Sequence, residues 1–467
     1  MKETTLTLTK EHHTILKEFL FPEDGNQSVA IALCTRRDGD RRTRLLVNEI
    51  QLIPYEQCLQ RTSCNVSWSL NSILDLIEKA KTKKLTVMKI QSRLRKLTNE
   101  FPPDKKTDAS FVSQIYEQIG GATIHGCISM VADGTMVGEV YDRDLNSRPL
   151  DRIMAIGDNI EIWHHDLSGA SSAEFGISHA SLFGEKTIQE FSQLSVGVVG
   201  CSGTGGPLIE QLYRNGVGEL VLVDEDIVKI RNLNRIPNTY MSDALLGRSK
   251  VETLTERIGL AGLGTRVIPI RGNLWTTEAV LQIAQCDIVF GCMDSIDGRF
   301  LLNTLAACYL IPYFDLGVRL QAHEEGAKKG QIREACGTVH YLRPGKSSLM
   351  SRGLISMDAV RSAGLKRNDL EAHKQQMDEG YILGVQEARP AVITVNMFLS
   401  SLAVHELLCR LHPYREEPNE KYARLEFSLA AMEFFPEYER EQDCCEILRS
   451  LVGKGDVSPL LNLPALS

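Results

Sequence analysis

The sequence predicts two α/β domains in tandem, the second a doubly wound parallel sheet, and three patterns carry that prediction. Residues 195–223 read as a buried strand (Ser195–Val199), a glycine turn (Gly200 to Gly206), an apolar-faced helix with Leu208, Ile209 and Leu212, and a second strand (Glu219–Val223). That order is a βαβ unit and implies a parallel sheet. Val267–Ile270, Ile288–Gly291 and Tyr313–Leu316 then recur as short apolar runs between helical stretches, as further buried strands would. Upstream of residue 165 strands and helices are mixed, which marks a separate and smaller α/β domain. A chain of 467 residues is long enough for two or three domains, each with its own core.

Taken in order, Val29–Cys34 and Arg44–Ile53 read as strands, Leu70–Ala80 as a helix and Leu85–Ile90 as a strand. A polar run from Gln91 to Lys106 interrupts the pattern. Ala122–Val131 and Val137–Tyr141 then form an expected hairpin closed by Ala132-Asp133-Gly134. His164 to Ser172 is short, polar and rich in small residues, so the domain boundary is expected there, giving domains at 1–165 and 170–467. No fixed-period repeat and no low-complexity tract is evident. Ala391 to Leu408 is apolar, but Thr394, Asn396, Ser400, Ser401, His405 and Glu406 interrupt it, which favours a buried helix over a membrane span.

Composition narrows the function. Lys and Arg number 52 against 60 Asp and Glu, a net charge of −8 with the signs mixed along the chain, so nucleic acid is a poor partner. Twelve cysteines are scattered, and the start MKETTLTLTKEHH has no charged flank followed by an apolar core. A reducing cytoplasm is therefore the expected location.

The chemistry is expected in the second domain. The loop Gly200-Cys201-Ser202-Gly203-Thr204-Gly205-Gly206 follows a strand and opens a helix, where free backbone N–H groups and the helix dipole attract phosphate. Alone it is a weak signal, because Ser202 stands where a dinucleotide pattern needs its second glycine, and a tight turn without a ligand fits as well. Asp224 ends the next strand and can accept both ribose hydroxyls, which would suit NAD equally. The polar run after it, reaching Asn232 and Arg235, and the later Gly247-Arg248-Ser249-Lys250 are not needed by a dehydrogenase. Two cations facing a triphosphate are what nucleotidyl transfer requires, since charge builds on the phosphorus oxygens and on departing pyrophosphate. At an effective dielectric near 20, a charge pair about 4 Å apart is worth roughly 4 kcal/mol. Either cation alone reads equally well as a solvated surface charge. Asp294 follows the strand Ile288-Val289-Phe290 at the carboxyl edge of the sheet, where it can hold Mg²⁺ or cap the next helix.

Together these residues resemble the ThiF, MoeB and ubiquitin-activating family, over about residues 175 to 455. Its members carry a glycine loop, D-x-D, N-x-x-R, G-x-x-K and an aspartate followed closely by arginine, here Arg299. The resemblance implies a Rossmann-like adenylation domain that uses ATP and Mg²⁺ to adenylate the C-terminal glycine of a ubiquitin-like protein, working as a homodimer. Matched position by position, it implies that Gly200, Gly203, Gly205 and Gly206 cradle the nucleotide and that Asp224 binds ribose. Asp226 and Asn232 order nucleotide and metal, Arg235 and Lys250 hold the phosphates, and Asp294 carries Mg²⁺. A crossover segment is expected at about 320–390. Thiamin- or molybdopterin-type sulfur-carrier activation and a non-catalytic scaffold are the alternatives; loss of Arg235, Lys250 or Asp294 would have favoured the scaffold, and none is lost.

The sequence departs from the family in four places. The arginine that reaches a partner subunit's phosphates falls on Ser178, beside His179. The two C-x-x-C pairs of the family's zinc site fall on Ser348-Leu349-Met350-Ser351 and the adjacent Cys444-Cys445, so no structural zinc is predicted. No cysteine occurs between Gly337 and Leu408, where a thioester-forming thiol is expected. Either the reaction stops at the adenylate, or Cys336, Ser348 or Ser351 accepts the acyl group before a conjugating enzyme does. Finally, residues 10–160 have weaker similarity to a JAB (MPN) domain, of the kind fused to ThiF-like domains in bacterial ubiquitination-like operons of the Bil or Bub type. Its zinc-ligand places fall on Gln27, on Gln91-Ser92-Arg93-Leu94, and on Phe101-Pro102-Pro103-Asp104-Lys105. Amides and cations cannot replace the anionic and imidazole ligands zinc needs, which implies an inactive pseudo-peptidase serving as a docking surface or a plain appendage.

Overall fold

The structure, a computed structural model, describes residues 2–94, 105–121, 123–167, 184–323, 325–326, 328–368, 392–440 and 443–466. Two compact units divide the chain: Met1–Leu167 with Cys308–Leu310 and Val452–Val457, and the remainder.

The first unit is a three-layer α/β body. Its strands are β1 (Glu3–Thr9), β2 (Val29–Asp38), β3 (Arg42–Leu52), β4 (Cys58–Arg61), β5 (Val66–Trp68), β6 (Thr86–Arg93), β7 (His125–Val131), β8 (Met136–Tyr141), β9 (Ser147–Pro149), β10 (Arg152–Ile156) and β11 (Ile160–His164). Nine of them form one sheet in the order β11-β10-β1-β3-β2-β6-β7-β8-β9, with β4 and β5 paired apart. Strand β2 explains the layering. Ala30, Ala32 and Cys34 point to a core shared with Leu16 and Leu20 of the Lys10–Leu20 helix. Val29, Ile31 and Leu33 point to a second core, shared with Leu76 and Ile77 of the Leu74–Lys83 helix and Val112 and Ile115 of the Lys105–Ile119 helix. Alternation with period two, apolar on both sides, is what a strand between two helical layers needs.

The second unit holds β12 (Ser195–Val199), β13 (Glu219–Val223), β14 (Arg266–Ile270), β15 (Ile288–Gly291), β16 (Tyr313–Ala322), β17 (Ile332–Leu342), β18 (Arg424–Ser428) and β19 (Glu433–Glu437), in sheet order β14-β13-β12-β15-β16-β17-β18-β19. The first five run parallel and the last three pair antiparallel. The strand order reverses between β12 and β15, so the crevice at their carboxyl ends, where ligands of such sheets bind, lies beside the glycine turn after β12.

The helix expected from Leu70 is a 3-10 turn, Leu70–Ile73, followed by an α-helix from Leu74. The expected hairpin is present as β7 and β8, with Gly134 at φ +100° in its turn. In the polar run, Gln91–Arg93 end β6 and Lys105 begins a helix, so polarity misled there: those residues sit where strand and helix emerge from the core. Strand β14 was expected to be buried, yet it forms the sheet edge, with Arg266 and Pro269 exposed. Proline, which cannot donate to a ladder, is tolerated on an edge. Residues 391–408 fall largely in a 19-residue helix, Ile393–Leu411. Among the described residues no helix is long and apolar enough to cross a membrane.

Candidate functional site

The glycine loop is held by contacts of backbone on backbone. Gly200 has φ +93°, and a Cβ there would lie 2.7 Å from the carbonyl oxygen of Cys292, just past β15. A Cβ on Gly205 would lie 1.8 Å from the Gly200 carbonyl oxygen. The loop therefore closes tightly onto the Gly205–Arg214 helix, and the Gly206 N–H donates to Ser202 O at 2.7 Å. Asp224, at the end of β13, binds the loop from the other side. Its Oδ2 accepts the Cys201 N–H at 2.7 Å and its Oδ1 the Asp226 N–H at 2.9 Å. Oδ2 keeps a further acceptor position, which leaves room for a hydroxyl donor.

Lys250 reaches the same place by a two-strand clasp. Gly247, at φ +59° after the Met241–Leu245 helix, lets the chain turn back. Residues 248–250 then pair with 226–228: Val228 N–H donates to Arg248 O at 2.8 Å, and Lys250 N–H to Asp226 O at 3.1 Å. The Lys250 side chain is only 4% exposed. Its Nζ lies 2.8 Å from Asp226 Oδ2 and 3.5 Å from Asp224 Oδ1. Partial burial would raise the Asp226 carboxyl, but Lys250 outweighs it and holds the group below its usual range. Lys250 is thus a buried, paired cation and not a solvated surface charge.

Arg235 comes from the turn after the short 3-10 helix Ile230–Asn232. Its Nη1 donates to Arg231 O at 2.7 Å, and its stem crosses Gly203, whose Cβ would meet Arg235 Cδ at 3.1 Å. Asn232 is buried, with Oδ1 accepting the Lys229 N–H at 3.0 Å, so it shapes the turn that carries Arg235. Asp294 is exposed beyond the carboxyl end of β15, and its charge reaches both Cys292 and Arg299. Arg299 is itself gripped by the fully buried Asp315 of β16, Nε to Oδ1 at 2.9 Å with a second bond from Nη2, and the Tyr313 hydroxyl donates to the same carboxylate at 2.5 Å. Burial works against the Arg299 charge, and Asp315 more than offsets it. Burial also pushes the thiols of Cys201 and Cys292 upward, so both are neutral at physiological pH.

Two contributors were not foreseen. The Ile393–Leu411 helix lies over the loop: Ser400 Oγ donates to Thr204 O at 2.8 Å, and Asn396 Nδ2 lies 2.7 Å from where a Gly203 Cβ would be. Their signal was visible as two polar residues, four apart and so on one helical face, interrupting an otherwise apolar segment.

Gly200, Gly203, Gly205, Asp224, Asp226, Arg235 and Lys250 thus gather around one loop. A model of the ThiF family matches residues 177–446, more than half of the chain. The chain belongs to the ThiF family. It is similar to the ubiquitin-like modifier-activating enzyme 5 of Aedes aegypti, 25% identical over 211 residues that cover 42% of this chain and 49% of that one. It is similar also to the adenylyltransferase and sulfurtransferase MOCS3 of Danio rerio, 34% identical over 119 residues, 26% of this chain and 25% of that one. The chain thus spans about half the length of the first of these curated relatives and a quarter of the second. A crystal structure of E. coli MccB with ATP matches at 15% identity and a TM-score of 0.42, over 59% of this chain and 75% of that one.

In this ThiF-family chain the segments standing at the zinc positions do meet, through polar groups. Ser347 bridges to Cys444, and the Cys445 N–H donates to Lys346 O at 3.1 Å. Ser348 N–H donates to Ser351 Oγ at 2.8 Å and Ser351 N–H to Ser348 Oγ at 3.2 Å, a reciprocal pair that closes the turn. Half-buried Glu439 accepts from Ser347 N–H at 2.8 Å and from Arg343 Nε at 3.0 Å. Cys445 packs with Ala307 and Leu448. Among the described residues no group of three or more His, Cys, Asp or Glu could hold a metal ion. The expectation of Ser348 as acyl acceptor meets a physical obstacle: its side chain is fully buried and its oxygen is engaged in the turn. Ser351 is half-buried, and Cys336 is buried on β17 opposite Arg319 and Ser428. In the first unit Gln91 Nε2 donates to Gln27 Oε1 at 2.6 Å, and Arg93 Nε to Ser129 Oγ at 3.3 Å. Ser178, His179, Asp104 and residues 369–391 of the expected crossover lie outside the described residues.

Proposed function

We propose that this chain is an ATP-dependent activating enzyme that adenylates the C-terminal glycine carboxylate of a ubiquitin-like protein. One observation carries the reading: buried Lys250, paired with Asp224 and Asp226, converges with Arg235 on the glycine loop. A dehydrogenase has no use for two cations there, whereas adenylation does.

In this reading the loop amides and the amino end of the Gly205–Arg214 helix face the nucleotide phosphates, and Asp224 accepts from ribose. A carboxylate oxygen of the ubiquitin-like protein attacks the α-phosphorus. The bond from that phosphorus to the bridging oxygen breaks, and pyrophosphate leaves with the electron pair. Lys250 trades its contact with Asp226 for a phosphate oxygen, and Arg235 offsets the charge growing on the leaving group. Asp294 supplies an exposed oxygen donor at the sheet edge, the kind Mg²⁺ takes, and the ion would neutralise charge on the phosphates.

We further propose residues 170–467 as the adenylation domain, acting as a cytoplasmic homodimer. Residues 1–165 form a JAB/MPN-like domain without metal ligands that docks the ubiquitin-like protein or a partner. A conjugating enzyme then receives the cargo in a bacterial ubiquitination-like, antiphage pathway. The similarity to MOCS3 favours a second reading, sulfur-carrier activation, against which stands the serine turn at the zinc positions.

ATP–pyrophosphate exchange with candidate C-termini tests both readings. Exchange with a cognate ubiquitin-like protein is expected; none with any C-terminus would sink the two together. Hydroxylamine and thiol sensitivity of a covalent product then separates a thioester on Cys336, an oxyester on Ser351 and a reaction that ends at the adenylate.

A further inference from the structure

The glycine loop has a donor on its far side that the adenylation reading does not use. Asn396 is 2% exposed, and its Nδ2 lies 2.7 Å from the place of a Gly203 Cβ. Among the described residues the Asn396 side-chain amide has no hydrogen-bond partner. The groups beside it are also donors. Arg235 Nε is 3.4 Å from the same Gly203 position, while the guanidinium uses Nη1 on its own turn. An amide N–H and a guanidinium that approach the same glycine present two donors to an anionic oxygen held by the loop. The helix is fixed in register there, because Ser400, one turn on, donates to Thr204 O at 2.8 Å.

We propose that Asn396 is a nucleotide-positioning residue, donating from Nδ2 to a phosphate oxygen of the nucleotide held by the glycine loop. The proposal rests on the adenylation reading and adds to it a contact from a helix nearly 200 residues after the loop. It also gives Gly203 a specific reason: any side chain there would fill the space between Asn396 and Arg235.

Binding of ATP and of adenosine to the full chain, measured by calorimetry, tests this. Asn396→Ala is expected to weaken ATP roughly ten- to a hundredfold, the range for a hydrogen bond to a charged group, while leaving adenosine unchanged. Asn396→Asp, which sets a carboxylate against phosphate, is expected to weaken ATP further. Ser400→Ala serves as the structural comparison, since loosening the helix lowers both affinities by one factor. Equal loss of ATP and adenosine in Asn396→Ala, or no loss of either, would overturn the assignment while leaving adenylation intact. A wild-type chain that binds neither ATP nor adenosine would overturn the adenylation reading and this one together.

Discussion

Removing the Lys250 ammonium while keeping its apolar stem, as Lys250→Met does, should separate its part in folding from its part in catalysis. Lys250 Nζ sits 2.8 Å from Asp226 and 3.5 Å from Asp224, and the two contacts are not equivalent. The Asp226 side chain is 55% exposed, so water and salt screen that pair and it contributes at most about 1 kcal/mol. The Asp224 side chain is 9% exposed, and breaking a buried pair typically costs about 3–5 kcal/mol because a charge is left behind. Asp224 retains two backbone amides after the substitution, which lowers the expected cost to about 2 kcal/mol. For a unit of this size that is a melting shift of roughly 3 °C. The catalytic loss is expected to be larger. A phosphate contact worth about 3–4 kcal/mol corresponds to a fall in pyrophosphate exchange of roughly 10²–10³-fold. Asp226→Asn serves as the comparison, with a melting change under about 1 kcal/mol. Wild-type exchange in Lys250→Met would refute the phosphate assignment, and an unchanged melting temperature would refute the buried-pair argument.

Other substitutions probe the same frame. Gly205→Ala would place a Cβ 1.8 Å from a carbonyl oxygen that cannot move independently, so a loss of about 1–3 kcal/mol in a urea melt and collapse of ATP binding are expected. Asp294→Ala removes an exposed side chain and should leave stability within about 0.5 kcal/mol while abolishing exchange; retained exchange refutes the Mg²⁺ assignment. His340 is buried on β17 with Nδ1 3.3 Å from Arg352 Nη1, and burial lowers its pKa from 6.5 to about 3. The unfolded chain therefore takes up a proton below pH 6.5 that the folded chain refuses until about pH 3. Stability contributed by the neutral ring is complete above pH 6.5 and declines as pH falls, by about 2 kcal/mol at pH 5. His340→Gln should flatten the difference between urea midpoints at pH 7 and pH 5, and an unchanged slope would contradict this.

The parts of the site that were legible are those whose reasons are local. A glycine that must adopt positive φ at Gly200, a tight approach at Gly205 and an acidic residue ending β13 leave marks within a few residues of one another. Polarity was a poorer guide where position decided exposure, as for Gln91–Arg93 at the end of β6 and for the edge strand β14. Ser348 and Ser351 entered as candidate acyl acceptors because hydroxyl chemistry is what a sequence displays at those positions. Folded, their hydroxyls complete a turn that faces Cys444 and Glu439, nearly a hundred residues away.

By itself the sequence determined the class of the second domain, the order of its strand, loop, helix and strand, and the residue types available at the nucleotide loop, because backbone conformation and side-chain chemistry are properties of short segments. Only the tertiary structure decided which of those charges are buried, which carboxylates Lys250 pairs with, and that Asn396 and Ser400 close over the loop. Burial and electrostatic strength depend on what surrounds a group, and the surroundings of Gly203 are assembled from segments that meet only when the sheet and the Ile393–Leu411 helix have packed.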